Sequence, residues 1–444
     1  MEKLRYYLQW WFEYKLPRFI PRIVKNNILN FPLIPVLVGP RRSGKSTLFF
    51  QLIAESRKTV PPLNIIYMNY EDDRLAPLDG RELSELLNIY RQMYHPVQDY
   101  PIYLFLDEVQ NVPQWDQTVR RIYETESSVR LYLTGSNSKM LSREIATTLR
   151  GRTISQQIFP LSFKEYLLFH NIQIPDIQNF QYSPRKDRLL FAFENYLKYG
   201  GFPEVVLTKD DQIKERILKE YLNTIFFRDI VERYAIRNYK TMDILIKILT
   251  RHMAAMFSFG KLRDSLKSIG LSISKNTLIE YLSYIEEAFL GSSVSIYSYS
   301  IKDQFQYPRK FYLVDDGLYQ ASSFLKSEDY GRLLENLVYN TLKRVHENIY
   351  YWKDRNGYEV DFVLPDLFDN KEAFPLIQVC YSLDNEDIVK REVRALVKAS
   401  REFKINRGLI ITRDRWDEWE KDGVVIKVVP FIHWVLEGES GEVR

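Results

Sequence analysis

A glycine-rich run near the N-terminus has the residue types and the spacing that bind phosphate. Residues 39–46 read GPRRSGKS and match the pattern G-x-x-x-x-G-K-[ST] of a P-loop. The glycines let backbone N–H groups face an anion, and the N-terminus of a following helix adds its positive dipole. We expect Lys45 to reach the β- and γ-phosphates of ATP or a related triphosphate, and Ser46 to ligate Mg²⁺. The predicted nucleotide site comprises Gly39, Pro40, Arg41, Arg42, Ser43, Gly44, Lys45, Ser46 and Thr47.

Two acidic residues follow an apolar run and supply the second half of a hydrolytic site. Residues 102–106 read IYLFL, which predicts a buried strand, and Asp107 and Glu108 come directly after it. We expect Asp107 to hold Mg²⁺, mainly through its water shell, and Glu108 to orient and deprotonate the attacking water. A strand end that carries two solvated acids is the alternative interpretation.

These residues require strands and helices that alternate along the chain. Apolar runs at 32–38, 64–70 and 129–133 predict three more buried strands, and an apolar helical stretch, 47–53, follows the glycine-rich run. Such alternation is typical of a parallel sheet that helices cover on both faces. A polar side chain after the strand at 129–133 can position the lytic water, and the candidates are Ser136 and Asn137.

Five segments, in chain order, carry a family resemblance: GPRRSGKST, YMNYEDDR, LFLDEVQN, LTGSNS and LRGRTISQQIFPLSFKEYL. They resemble the archaeal and bacterial AAA+-type ATPases that carry a C-terminal DUF4143 region. The resemblance implies ATP and Mg²⁺ as ligands. It also places Arg150 and Arg152 in the family's L-x-G-R motif, where an arginine would sense or complete the γ-phosphate site of its own chain or a neighbour's. A structural salt bridge is the alternative for both arginines, and homo-oligomerisation stays open.

Residues 161–238 are mostly helical in pattern, with one interruption at the turn GGFPE, residues 200–204. The family shows the same turn, and helices that follow an AAA+ core usually form a lid over the nucleotide. Arg228 lies in FFRDIVERY, another segment that matches the family. It is a candidate to reach the nucleotide, and a structural contact with Asp229 is the alternative.

Residues 239–326 have the pattern of a winged helix, which consists of three helices and a β-hairpin. The predicted elements lie at 244–257, 259–269, 276–290, 293–299 and 309–314. The third helix would occupy the recognition position, but acidic residues on its exposed face would repel phosphates. The residues concerned are Lys275, Asn276 and Thr277 at its start, and Glu280, Glu286 and Glu287 on its face. DNA and a partner protein are therefore both candidate ligands.

Residues 327–444 resemble the PD-(D/E)XK nuclease fold in their α–β–β–β–α–β order, as the DUF4143 region does generally. Such a site needs an acid at the end of one strand and E-x-K on the next, so that two carboxylates hold magnesium beside a lysine. Asp361 fits the first position and Glu335 fits a helical acid. Glu359 precedes Asp361 by two residues on a strand, so both point to one face.

The next strand departs from this pattern, because Gln378 and Cys380 stand where the acid and the lysine belong. Losing either group removes the charges on which such catalysis depends. We therefore expect a degenerate nuclease centre, retained for binding nucleic acid or partners. An active nuclease, with Lys353 or Lys390 in the role of the lysine, is the alternative. Cys380 reads as a buried strand cysteine rather than a nucleophile.

Composition narrows the class of protein further. The net charge of +4 is too small to imply a polyanion partner by itself. The single cysteine excludes an internal disulfide framework and fits a reducing cytoplasm. No run approaches the roughly 18 apolar residues of a membrane span. In the aromatic, basic segment 1–25, Pro17 and Pro21 limit the length of a helix. We expect a helix packed on the next domain, and an interfacial amphipathic helix is the alternative.

Together, these patterns predict an α/β multidomain protein. The expected domains are a P-loop AAA+-type core with an N-terminal helix (1–160), a helical lid (161–238), a winged helix (239–326) and a nuclease-like α/β domain (327–444). The predicted function is ATP hydrolysis coupled to DNA binding or remodelling. A nucleotide-controlled signalling or interaction protein with slow turnover is one alternative, and an ATP-dependent nuclease is another.

Overall fold

The computed structural model describes residues 2–23, 28–136, 145–174, 186–322 and 329–438. The chain divides into two compact units. The first comprises Met1–Phe159 with Glu287–Phe289, and the second comprises Pro160–Glu286 with Leu290–Arg444. Within the described ranges, no helix combines the length and the apolar character needed to cross a membrane.

The first unit is built on a parallel sheet, as the alternating pattern predicts. Its strands are β1 (Ile34–Val38), β2 (Ile65–Asn69), β3 (Ile102–Asp107), β4 (Val129–Gly135) and β5 (Thr153–Gln157). The order across the sheet is β2-β3-β4-β1-β5, and every neighbouring pair is parallel. All five residues of β1 are buried, as expected for a strand inside a sheet that is covered on both faces.

This strand order brings the predicted site residues to one edge of the sheet. Strand β4 lies between β1 and β3, with Val38 opposite Gly135 and Leu106 opposite Leu133. The carboxyl ends of parallel strands share an edge, so the loop after β1, the end of β4 and Asp107 meet there. Ligands of open parallel sheets bind at this edge.

Helices cover the first sheet. They are α1 (Glu2–Glu13), α2 (Lys45–Ser56), α3 (Arg81–Ser84), α4 (Leu86–Met93) and α5 (Trp115–Thr125). The N-terminal helix α1 packs on the sheet, as expected, and buries Tyr7 and Trp11. The Trp11 indole N–H donates to the Ile65 carbonyl oxygen at 2.8 Å, and the Asn69 N–H donates to the Tyr7 hydroxyl at 3.0 Å. These contacts fasten α1 to both ends of β2.

The second unit begins with the predicted helical region. Its helices are α6 (Phe163–Phe169), α7 (Lys186–Tyr199), α8 (Pro203–Leu207) and α9 (Asp211–Thr224), followed by a helical segment at Ile225–Glu232. The GGFPE turn lies between α7 and α8, where the Gly201 N–H donates to the buried Asp315 carboxylate at 2.7 Å. A Cβ on Gly200, which has φ +74°, would lie 1.7 Å from an Asp315 oxygen. The turn therefore needs glycine because a carboxylate lies directly beneath it.

Three helices and three short strands form the winged-helix region. They are α10 (Tyr239–Arg251), β6 (Met256–Phe257), α11 (Phe259–Ser268), α12 (Lys275–Glu287), β7 (Gly291–Val294) and β8 (Arg309–Leu313), in a sheet ordered β6-β8-β7. The expected bounds of the first helix and of the first hairpin strand were wrong, since β7 ends at Val294 and not at residue 299. The first helix ends at Arg251, and residues 256–257 pair with β8 instead of continuing it. The hairpin connection also contains a helix, α13 (Ile301–Gln306).

The remainder of the unit is an α/β region with a six-stranded mixed sheet. Its elements are α14 (Asp316–Ser322), α15 (Tyr330–Lys343), β9 (Tyr350–Lys353), β10 (Glu359–Val363), β11 (Leu376–Val379), α16 (Glu386–Phe403), β12 (Arg407–Thr412), β13 (Asp417–Lys421), β14 (Val424–Pro430) and α17 (Phe431–Glu437). The order across the sheet is β13-β14-β12-β11-β10-β9. The predicted α–β–β–β–α–β order holds up to β12. The predicted order ended with β12, but a hairpin of β13 and β14 and the helix α17 follow it.

Candidate functional site

The glycine-rich run turns sharply between β1 and α2. Gly39 has φ +151°, and a Cβ there would lie 2.3 Å from the Ile158 carbonyl oxygen, so only glycine fits. Gly44 has φ 96° and precedes the helix directly. The Ser43 hydroxyl is buried and has no hydrogen-bond partner among the described residues, so the loop holds a polar group that a ligand can satisfy. Arg22, which sequence reasoning did not single out, donates to the Ser43 carbonyl oxygen at 2.7 Å.

Lys45 is the first residue of α2, and its side chain folds back over the loop. The ammonium donates to the carbonyl oxygens of Gly39 and Pro40, each at 3.1 Å. It also lies 3.5 Å from a carboxylate oxygen of Glu108. The residue is buried, so this charge is compensated by the loop and by the end of β3.

Asp107 is fully buried at the end of β3 and is surrounded by hydroxyl donors. The Tyr67 phenol donates to one carboxylate oxygen at 2.8 Å, and the Thr134 hydroxyl donates to the other. The Ser46 hydroxyl is a third hydrogen-bond partner. Burial, and then the charge of Glu108, raise the pKa of Asp107 above its ordinary value. The Ser46 hydroxyl and the Asp107 carboxylate are thus side by side, which fits the pair of oxygen ligands predicted for Mg²⁺.

Glu108 turns back toward the loop because its backbone adopts the left-handed conformation, with φ 52°. Its N–H donates to the Thr134 hydroxyl at 2.9 Å, so one threonine orients both acids. The Gln110 amide donates to the Glu108 carboxylate at 2.6 Å, and Ser136 is a further hydrogen-bond partner. A non-glycine residue in this conformation is uncommon and marks a position that the surrounding structure holds.

The pKa values of the two adjacent carboxyl groups, those of Asp107 and Glu108, are shifted in opposite directions. Burial alone would raise the pKa of Glu108, but the Lys45 ammonium and the Gln110 amide bring it below its ordinary value. The pKa of Asp107 is instead raised. Adjacent acids whose environments separate their pKa values are typical of sites where each has a distinct task.

The remaining predicted site residues differ in their exposure. The Arg41 guanidinium forms an ion pair with Glu71 at 2.6 Å, while Arg42 is exposed with φ 65°. Thr47 lies in the first turn of α2. Ser136 is buried beside Gln110. Asn137 lies outside the described residues. Tyr67, Thr134 and Gln110 were missed from the sequence, although Thr134 and Gln110 lie within two residues of predicted site positions.

The three candidate arginines differ in their surroundings. Arg152 forms an ion pair with Glu124 at 2.8 Å and donates to the Leu149 carbonyl oxygen, as the salt-bridge alternative requires. Arg150 is exposed with φ 41°, and its guanidinium donates to the Thr147 carbonyl oxygen. Arg228 belongs to the second unit and is exposed on the helical segment at 225–232.

A second charged cluster joins β8 of the winged-helix region to α15 and β10 of the α/β region, and it contains a lysine that the sequence did not identify. The ammonium of Lys310, on β8, lies 2.9 Å from Glu335, 2.8 Å from Glu359 and 2.8 Å from Asp361. The Tyr312 hydroxyl also donates to Glu335, at 2.7 Å. Lys310 is buried, and the charges of the acids raise its pKa well above the ordinary value despite the opposing effect of burial. The three predicted acids are therefore brought together around an ammonium.

Gln378 lies at the edge of this cluster and supports it. Its side-chain oxygen accepts the Asp361 N–H at 3.3 Å, and the Val379 N–H donates to the Asp361 carboxylate at 2.9 Å. Cys380 is only partly buried and lies one residue beyond β11, so the expectation of a buried strand cysteine was wrong. Burial still raises the pKa of Cys380 to about 11, and its thiol donates to the Ser382 carbonyl oxygen. A thiol with this pKa stays protonated at neutral pH, which agrees with the non-nucleophilic interpretation.

The lysines proposed as substitutes lie elsewhere. Lys353 reaches only the outer acid, Glu359, at 3.2 Å, and Lys390 is paired with Glu386 on the surface of α16. Within the described part of the chain, no group of three or more histidine, cysteine or acidic side chains has an arrangement that could hold a metal ion. Lys310 takes the centre of the cluster instead.

Comparison with known proteins agrees with this architecture. A family profile described as an AAA domain matches residues 32–167, and two profiles for domains of unknown function, DUF8612 and DUF4143, match residues 190–329 and 330–432. The chain belongs to the family of P-loop AAA-type ATPases that carry a C-terminal DUF4143 region.

Relatives of similar length share most of the chain. An uncharacterized protein of Methanocaldococcus jannaschii is 40% identical over 429 residues, which cover 93% of this chain and 91% of the relative. An uncharacterized protein of Haemophilus influenzae is 29% identical over 406 residues, covering 91% and 94%. A solved Walker-type ATPase of Pyrococcus abyssi aligns with a TM-score of 0.41 and 16% identity, covering 67% of this chain and 92% of that structure.

Proposed function

We propose that this protein hydrolyses ATP at the edge of the parallel sheet where Lys45, Asp107 and Glu108 meet. The observation that carries the proposal is the state of Glu108. Its carboxylate lies 3.5 Å from Lys45, is held by Gln110, and has a lowered pKa. A general base must be ionised at the working pH and fixed in orientation, and Glu108 meets both conditions.

The loop residues would bind the triphosphate. Backbone N–H groups of residues 39–46 and the N-terminus of α2 would face the phosphates. Lys45 would exchange the neutral carbonyl oxygens of Gly39 and Pro40 for phosphate oxygens. Ser46 and Asp107 would hold Mg²⁺, which neutralises the charge that develops on the phosphates.

Glu108 would act on water rather than on the nucleotide. It accepts a proton as the water oxygen attacks the γ-phosphorus, and the bond to the bridging oxygen breaks to release ADP. Ser136 and Gln110 keep the carboxylate in place, and Thr134 sets the angle between the two acids. Asn137 is a further candidate for holding the water. We propose a structural role for Arg152 in its ion pair, while Arg150 and Arg228 stay candidates for contacting the γ-phosphate.

We also propose that turnover is coupled to DNA through the second unit, where a three-helix and hairpin fold precedes a nuclease-like sheet. A protein partner is the second candidate, and one observation favours it. Glu280 is exposed on α12, the helix in the recognition position, and an acidic side chain there repels phosphates. We do not propose a nuclease, because Lys310 occupies the centre of the acidic cluster.

The test measures ATP binding and hydrolysis on the full chain, without DNA and with either single-stranded or duplex DNA. Replacing the base, Glu108→Gln, should lower kcat by about 100-fold or more and leave ATP binding nearly unchanged. Lys45→Ala should weaken ATP binding by about tenfold or more, because it removes a charged hydrogen-bond donor. DNA, in single-stranded or duplex form, should raise the rate of the wild type.

The matched control is Glu126→Gln, which removes a surface carboxylate of the same unit and should keep kcat within about twofold. Hydrolysis that is unchanged in both Glu108→Gln and Lys45→Ala would overturn the ATPase assignment. A Glu108-dependent rate that no DNA alters would overturn the coupling and favour the protein partner.

A further inference from the structure

A pocket of about 440 Å³ lies in the second unit, where the winged-helix region meets the six-stranded sheet. Its inner wall is apolar and aromatic. Phe257 and Tyr351 are buried there, and the Tyr351 hydroxyl donates to the Pro308 carbonyl oxygen at 2.5 Å. This bond joins β9 to the chain segment before β8, and both contribute residues to the wall of the pocket. The volume lies within the range of pockets that enclose one small ligand.

The rim of the pocket carries an excess of positive charge. Lys261, at the start of α11, and Lys353 and Arg355, at the end of β9 and in the turn after it, line the pocket and are all exposed. Asp354 is the one acid among the described lining residues. Its carboxylate is compensated by Lys398, whose ammonium lies 3.0 Å away.

A neighbouring acid reduces this excess only in part. Glu359 lies 3.2 Å from Lys353 and offsets its charge, because the buried Lys310, which lies 2.8 Å from Glu359, also contacts Glu335 and Asp361. At least two cationic groups, Lys261 and Arg355, therefore remain at the mouth of the pocket. A pocket of this charge suits an anion.

One aromatic ring is exposed at the same mouth. Tyr307 lines the pocket and has 48% of its surface exposed, next to the proline that forms the wall. Cationic side chains that flank an accessible aromatic ring are the combination that binds unpaired nucleic acid, since every base has a face that can stack. In a duplex the bases are stacked on one another and show only their edges.

We propose that this pocket binds one nucleotide of a single-stranded nucleic acid, with Tyr307 stacked on the base and Lys261 and Arg355 on the adjoining phosphates. The inference rests on the proposed coupling to DNA, and it specifies where on the protein the nucleic acid binds and in which form. It places the contact at this pocket instead of at α12, where Glu280 would oppose phosphate. It also names the unpaired strand as the ligand.

The test is fluorescence anisotropy of the full chain with a labelled 12-nucleotide oligo-dT and with a duplex of the same length. The Lys261→Ala/Arg355→Ala variant should bind the single strand about tenfold or more weakly. The slope of log K against log salt should become about 1.4 smaller, since each phosphate contact on a single strand contributes about 0.7. Tyr307→Ala should weaken binding by about fivefold or more without changing the slope, and Tyr307→Phe should restore it.

The control double variant, Lys390→Ala/Arg401→Ala, removes the same charge from the surface of α16 and should bind within about twofold of the wild type. Equal weakening by both double variants would overturn the assignment, because it would show a general charge effect. Tighter binding of the duplex than of the single strand would overturn it as well, as would failure of the wild type to bind either at 50 mM salt.

These failures are distinct from failure of the ATPase proposal. Hydrolysis that depends on Glu108, in a protein that binds no oligonucleotide, would overturn only the nucleic-acid inference. If oligonucleotide binding depends on Tyr307 but the rate of hydrolysis is unchanged in Glu108→Gln, only the catalytic assignment would be overturned.

Discussion

Two buried lysines lie among carboxylates in this protein, and their surroundings differ. The Lys45 ammonium lies 3.5 Å from one carboxylate, Glu108, and donates to two neutral carbonyl oxygens at 3.1 Å. The Lys310 ammonium lies within 2.9 Å of three carboxylates, those of Glu335, Glu359 and Asp361. The first lysine has one acidic neighbour at a loose distance, and the second has three at hydrogen-bond distance.

This difference separates a lysine suited to a ligand from one suited to structure. An ammonium has three N–H donors. Two of those on Lys45 bind neutral oxygens, which an anionic phosphate can replace with a gain in attraction. The three donors of Lys310 meet three carboxylates, so moving the ammonium away would leave buried acids without a counter-charge. We infer that Lys310 holds β8 against α15 and β10, and that it does not serve a substrate.

The largest effect is expected at Lys310. Lys310→Met should lower the free energy of unfolding by about 3–5 kcal/mol, because a buried ion cluster that loses one partner leaves uncompensated charge. Urea denaturation followed by circular dichroism measures this change. The matched control is Lys353→Met, in which a partly exposed lysine loses contact with Glu359, and it should cost about 1 kcal/mol or less. Equal losses in both variants would contradict the special position of Lys310.

The strands and acids of the first site were predictable because the signals are local. The P-loop directly follows β1. Asp107 is the last residue of β3, and Glu108 comes directly after it. The four strands predicted for the first sheet lie within two residues of their observed bounds, and β5 was not among them. The parallel order then brings these strand ends together without any long-range information beyond the alternation of strands and helices.

The second cluster could be predicted only in part, since its lysine comes from a distant segment. Lys310 precedes Glu335 by 25 residues and Asp361 by 51, and it lies on a strand of the winged-helix hairpin. Only tertiary packing brings it to the acids. The hairpin of β13 and β14 was missed for a different reason. Strand β13 reads DEWEK, and an edge strand that is mostly charged has no apolar alternation to detect.

The next largest expected effect is a change with pH in the free energy of unfolding, of up to about 3 kcal/mol, caused by Glu335. Burial and the charge of Asp361 raise the pKa of Glu335 to about 7, against an ordinary 4.5. The folded protein thus binds this proton more tightly than the unfolded chain does. The stabilisation is complete below about pH 4.5 and is lost as pH rises toward 7.

Denaturation midpoints measured between pH 5 and pH 8 test this linkage. The wild type should lose stability relative to Glu335→Gln over this range, since the amide resembles the protonated acid and does not titrate. Parallel profiles for the two proteins would contradict a raised pKa at Glu335. The same comparison at the first site uses Glu108→Gln, where the lowered pKa predicts no such relative loss above pH 5.

The smallest effect on stability is expected at Lys45, although this residue is also buried. Lys45→Met should lower the free energy of unfolding by about 1–2 kcal/mol, because it removes the counter-charge of only one carboxylate, Glu108, which lies 3.5 Å away and keeps its bond to Gln110. The same variant should lose ATP binding in calorimetry, whereas folded Lys310→Met should retain it. A loss of stability at Lys45 as large as that at Lys310 would mean that both lysines are structural, and the contrast between a ligand site and an ion cluster would fail.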